Sequence, residues 1–231
     1  MAKKNNAGRG RDASDVTIQG RVPKQLRSRQ RLARILDACR DLIAESDSVS
    51  VSMAAVARRA EIPIASLYQY FPTKSALIAR LFERRLEQYH GVLLDRIARI
   101  RDPSECAGLI HDVLIDIYQD NRRDVFFREI WAGAQASRET RDIQVRDNEY
   151  YSRIWLSLAQ RGGSQIPLAA LRYRATAANE MWDGTIRLAI TLPAAEGLAL
   201  MNESISMGIR ELGLNLQPSS ARHRGGIRGQ P

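Results

Sequence analysis

Histidine and cysteine are scarce in this chain, at three and two residues, and the scarcity removes most metal and nucleophile chemistry. Cys39 and Cys106 each lie in an apolar helical pattern with no His or Cys at metal-ligand spacing. Both read as buried free thiols, and a reducing cytoplasm is the expected location. None of His90, His111 and His223 stands near a Ser or Cys in a nucleophile motif, and there is no Gly-rich phosphate loop. The residues therefore argue against an enzyme and for no cofactor or metal. Apolar runs stop short of the ~18 residues that span a bilayer and the N-terminus lacks a signal-peptide core, so no membrane partner is expected. Strand-like alternation is scarce and no internal repeat is present, while Ala, Leu, Ile and Arg dominate. An all-α fold follows.

What is present begins with charge. The net charge is +9, but residues 1–34 hold ten Lys/Arg against two Asp, and the tail from Asn215 adds three Arg and no acid. The middle of the chain is slightly acidic, so the attraction for a polyanion is concentrated at the ends. Residues 1–23 have few large apolar residues and no period, which predicts a disordered basic arm. It reads either as an arm that touches phosphate or the minor groove, or as a solvated leader.

From Ser28 an apolar stripe of Leu32, Ile35, Leu36, Cys39, Leu42 and Ile43 predicts a helix ending near Glu45. Ser52 can cap a short helix with Met53, Val56, Ala57 and Ala60 facing inward. A second short helix follows, with Pro63 in its first turn, and closes at Phe71-Pro72. Thr73 then caps a long helix that Asp102-Pro103 stops. Further helices are expected over 104–121, 124–136, 140–161, 167–191 and 194–212, divided by Gly162-Gly163, Pro167 and Pro193. The tail 215–231, rich in Gly, Arg, Ser and Pro, should be disordered.

Two short helices joined by a tight link after a longer one have the geometry of a helix-turn-helix head. Met53, Val56, Ala57, Ile62, Leu67 and Phe71 can form its core with the first helix, leaving Ile64, Ala65, Ser66, Tyr68, Gln69 and Tyr70 outside. Tyrosine hydroxyls reach phosphates, and Ser66 or Gln69 can hydrogen-bond base edges. The alternative for Tyr68 and Tyr70 is packing at a joint with the body, and Arg58 and Arg59 read more readily as a solvated face than as base readers.

The run LYQYFPTKSAL, Leu67–Leu77, following ARRAEIP, resembles the N-terminal signature of TetR-family transcriptional regulators. There a recognition helix ending in Leu-Tyr-x-x-Phe precedes a Lys that opens the fourth helix. The matching residues are Ser52, Val56, Ala57, Ala60, Ile62, Ala65, Ser66, Leu67, Tyr68, Tyr70, Phe71, Lys74 and Leu77, and the likeness covers about residues 28–80. The sequence departs from the pattern at Glu61, where a turn Gly is common, and at Ala65. The resemblance implies that Ser52 and Lys74 hold phosphates, that Tyr68 and Tyr70 contact backbone or base, and that Ile64, Ala65 and Ser66 face the groove floor. The bland alternative for Ser52 and Lys74 is a solvent-facing cap.

It further implies a three-helix DNA-binding head (24–75) joined by a long fourth helix to a helical-bundle body (76–214) that binds a small-molecule effector and dimerises. On that reading the protein is a dimeric regulator, a repressor on a (pseudo)palindromic operator, released when the effector binds. The other reading is an effector-independent DNA-organising or adaptor protein with the same head. His111, Phe127, Trp131, Tyr151 and Trp155 are the candidate effector-pocket residues, with Arg128 or Asn179 as an orienting contact. Trp182, Ile186, Leu198, Met201, Ile205 and Ile209 are the candidate dimer anchors. Core packing is the alternative for both sets.

Overall fold

The computed structural model describes residues 24–46, 50–124 and 138–216, all helical or in short links, with no strand among them. Eight helices follow in order: α1 Lys24–Glu45, α2 Met53–Arg59, α3 Ile64–Tyr70, α4 Lys74–Arg99, α5 Glu105–Arg123, α6 Arg138–Arg161, α7 Leu168–Ala189 and α8 Ala194–Glu211. The first begins four residues earlier than its apolar stripe, because Lys24, Gln25, Leu26 and Arg27 are all good helix formers and nothing interrupts them. The expected basic arm and the helix expected over 124–136 lie outside the described residues, apart from Asp124, which caps α5.

Three helices build the head. Ile35, Leu36 and Cys39 of α1 close over Met53, Val56 and Ala57 of α2 and over Leu67 and Phe71, all buried, with Leu32 and Ile62 packed at the edge. Ser52 caps α2 by accepting a hydrogen bond from the Ala55 amide at 3.2 Å, and Thr73 caps α4 by accepting one from the Ala76 amide at 3.0 Å. Pro63 stands at the N-cap of α3 rather than inside its first turn. Either position suits a residue with no N–H to offer.

The link between α2 and α3 is a Schellman stop: the Glu61 amide bonds Arg58 O and the Ile62 amide bonds Ala57 O. Such a stop needs a left-handed residue, and Glu61 occupies that position at φ 55°. The corresponding stops after α6 and α8 use Gly163 and Gly213. Glu61 therefore carries a backbone strain of about 1 kcal/mol that glycine would not.

The 26 residues of α4 give a rod of about 39 Å at ~1.5 Å per residue. Near its start it touches the head, where Arg84 donates to Asp37 of α1 at 2.7 Å. Farther along it packs on α5 and α6 through Leu86, Tyr89 and Leu93. In the body α7 lies between α6 and α8, and α5 closes the other side of α8. The α7–α8 contact depends on Gly208, where an added Cβ would stand 2.3 Å from the Trp182 ring. The Trp182 indole donates to Ser204 O at 3.0 Å, so the ring is fixed from both ends.

Candidate nucleic-acid interface and body cavity

The short α3 has one residue, Leu67, sunk in the head core, and it presents most of the others outward. Ile64, Ala65, Tyr68 and Gln69 are exposed and Ser66 is half-buried. Ile64 and Tyr68, at 45% and 47% exposure, are large apolar side chains that the head leaves in solvent. Tyr70 turns back toward α1, its hydroxyl 3.2 Å from Ser28 Oγ, so it ties the exposed helix to its scaffold. Ser52 is exposed at the start of α2, and Lys74 is half-buried at the start of α4. Both stand where amide N–H groups and the helix dipole also favour an anion. Lys74 lies close enough to Cys39 to oppose the burial that pushes that thiol up to about 12. Arg59 is held by Glu45 in a two-pronged exposed pair at 3.0 and 2.6 Å, which turns it toward α1, while Arg58 is exposed.

In the body, a cavity of about 50 Å³ opens between α4, α5, α6 and α7. Tyr151, Trp155 and Asn179 line it, as do Tyr89, Asn121, Gln144, Asp147, Asn148, Trp182 and Asp183. His111 does not reach it: its ring bonds Asp112 at 3.0 Å and Asn202 of α8 at 3.1 Å. Phe127, Arg128 and Trp131 lie outside the described residues. The sequence pointed to Asn179 but not to the other polar walls, although a signal was there. Gln144, Asp147 and Asn148 continue the stripe of Tyr151 and Trp155 at three- and four-residue steps, and Asp183 stands four residues after Asn179. Polar residues inside an apolar stripe are the ones that need a reason.

The polar groups in the cavity walls are largely wired to one another. Trp155 Nε1–H donates to Asn179 Oδ1 at 2.8 Å, and the Asn179 amide reaches Asn148 Oδ1 at 3.4 Å. Gln144 donates to that same oxygen at 3.1 Å, and Asn148 donates to Glu180. Asp147 shares a 2.7 Å hydrogen bond with His90 of α4, whose ring stacks on Tyr150 at 3.8 Å. Burial raises the Asp147 carboxyl, with His90 opposing. Burial also pushes Asp183 up to about 6, against its ion pair with Arg187. Tyr151 stacks on Trp155 with ring centres 5.5 Å apart, and Trp155 meets Trp182 edge-on at 5.7 Å.

The expected dimer anchors are corrected by the packing. Trp182, Ile186, Met201, Ile205 and Ile209 are at most 3% exposed within a single chain, so they join α7 and α8 to their own body and have no surface for a partner. Only Leu198 is exposed. The outward faces of these two helices instead carry Tyr173, Leu188, Leu198 and Met207, with Tyr173 80% exposed, beside the small Ala177, Ala195 and Ala199.

Comparisons with known proteins bear on this architecture. Residues 35–81 match the family model described as bacterial regulatory proteins, tetR family. The nucleoid occlusion factor SlmA of Haemophilus influenzae is 28% identical over 105 residues, 45% of this chain and 46% of that one. The transcriptional repressor KstR of Mycolicibacterium smegmatis is 38% identical over 60 residues, 26% of this chain and 29% of its own. The chain thus aligns with less than half the length of either curated relative. Among solved structures, a TetR-family transcriptional regulator from Streptomyces coelicolor superposes with a TM-score of 0.60 at 29% identity, covering 79% of this chain and 98% of that one.

Proposed function

We propose, from the premise that the chain is a TetR-family transcriptional regulator, that it acts as a dimeric repressor whose α3 reads an operator and whose body releases it on binding a small molecule. One observation carries the DNA reading: α3 turns Ile64, Ala65, Tyr68 and Gln69 outward from a head whose core is otherwise closed. A helix of that size fits the ~12 Å major groove, with Ser52 and Lys74 on the flanking phosphates. The head occupies 24–75 and the body 76–214. One head covers a half-site, and a second copy docked on the outward side of α7 and α8, where Tyr173, Leu188 and Leu198 are exposed, would supply the other.

The cavity supports an effector reading because it touches the same helix that begins beside α3. A ligand that prefers one setting of α4 shifts the spacing of two heads by its differential affinity, and that is all release requires. The likeness to SlmA favours a second reading, a DNA-organising protein with no effector. Selection of bound fragments from random DNA by the purified protein tests the first claim: a shared inverted repeat is expected, and recovery of unrelated sequences would sink it. Leu198→Glu should convert the dimer to monomers by light scattering. A persisting dimer would move the seam elsewhere.

A further inference from the structure

Among the described residues, the walls of the body cavity are rich in hydrogen-bond acceptors and contain no basic side chain. Asn121 is fully buried, its Nδ2 donates to Ile117 O at 2.8 Å, and its Oδ1 has no partner among the described residues. Gln144 Oε1 is likewise unpartnered. Neither amide can be turned around to hide the defect. The Asn121 nitrogen is needed by a carbonyl, and Asn148, anchored by its donation to Glu180, leaves only an oxygen for the Gln144 nitrogen. The unmet valences lining the cavity are therefore both acceptors, and the carboxylates of Asp147 and Asp183 stand in the same walls. The remaining surface is apolar, with the rings of Tyr89, Tyr151, Trp155 and Trp182 beside Phe82, Leu86, Leu114, Ile117 and Ile186.

A buried acceptor without a donor is costly, and two beside two raised carboxylates are not what core packing selects. A ligand that brings several N–H donors and a positive charge answers every one of these groups, and ring faces add cation–π attraction. A carboxylate or phosphate would meet the carboxylates and lone pairs with like charge. An apolar ligand would leave the acceptors bare. The enclosed space, about 50 Å³, takes an ammonium head, and a slender chain has to run out through the cavity's opening.

We infer that the body cavity binds a protonated aliphatic amine, with Asn121, Gln144, Asp147 and Asp183 receiving the ammonium group and Tyr151 and Trp155 packing on its carbon chain. This rests on the effector reading above and names the chemical class of the effector.

The test compares n-butylammonium, butyrate and n-butanol at equal millimolar concentration and fixed ionic strength, by thermal unfolding and titration calorimetry on the full chain without DNA. Only butylammonium should bind, raising Tm by about 5–10 °C where it reaches a hundredfold excess over its Kd. In Asp147→Asn its affinity should drop at least about tenfold, the size of one lost charge-assisted contact. Butyrate or butanol binding as well as the amine, none of the three binding, or full affinity in a folded Asp147→Asn would each overturn the assignment. If that variant fails to fold, the three-probe comparison on the unaltered chain still decides. Operator release is read separately by anisotropy: amine binding without release leaves the ligand class standing and removes the effector reading. Release by butyrate does the reverse.

Discussion

The head and the body place their polar and aromatic groups in opposite directions. In the head, Leu67, Phe71 and the α1 stripe close a small apolar core, while Tyr68, Gln69 and Ile64 face water. In the body, Asn121, Asp147 and Asn179 are buried beside Trp155 and Trp182. A site that meets a macromolecule has to be exposed, whereas one that meets a small molecule has to enclose it. The two regions also distribute strain differently. Among the described residues the head holds one strained residue, Glu61, in a turn, and the body holds its cost in buried polar groups.

That contrast can be broken most forcefully at Trp155, which is fully buried and donates to Asn179. Trp155→Ala should destabilise the chain by about 3–5 kcal/mol in urea unfolding. A loss under about 1 kcal/mol would mean that the cavity walls are not a packed core.

Next in size is Asp183, whose folded carboxyl titrates at about 6 rather than 3.8. The folded state holds the extra proton between those values, so stability falls as pH rises from about 4 to about 6 and is flat above. Asp183→Asn should remove that fall and raise stability at neutral pH by about 1–3 kcal/mol, with Arg187 left half-exposed to water. A variant that is less stable at neutral pH, with the same pH slope, would show that the ion pair outweighs the burial.

Smaller effects belong to the head. Lys74→Ala should weaken operator binding by about five- to tenfold and reduce the slope of log affinity against log salt by about 0.9, leaving Tm within a degree or so. An unaltered slope would take Lys74 off the phosphates. Glu61→Gly should add about 0.5–1 kcal/mol by relieving the left-handed turn, and should tighten DNA binding by removing a negative charge. Destabilisation would mean that the Glu61 side chain earns its place by a contact.

The head was legible residue by residue because local chemistry dictates it. Ser52 and Thr73 are caps, Pro63 is an N-terminal breaker, and the inward positions of α1 and α2 recur at helical steps. The body was legible only as helices. Trp182, Ile186, Ile205 and Ile209 make an apolar stripe that suits an internal seam and a dimer seam equally, and periodicity cannot say which neighbour fills it. Burial sets Trp182, Ile186, Ile205 and Ile209 inside their own body and leaves Tyr173 and Leu198 exposed. His111 was drawn toward the cavity by its type, yet its position on α5 points it at Asn202 of α8. Asp147 and Asp183 were passed over because charged residues are expected outside; only the arrangement of four helices brings them to one cavity.

The central claim is that α3 reads sequence, and the most direct measurement is the ratio of affinities for a selected operator and a scrambled duplex at fixed salt. In the paired substitution Tyr68→Ala with Gln69→Ala, that ratio should collapse by about tenfold or more while scrambled-duplex affinity changes little, because base contacts specify and phosphate contacts hold. A ratio that survives in a folded variant would contradict the account and place sequence reading on another part of the molecule.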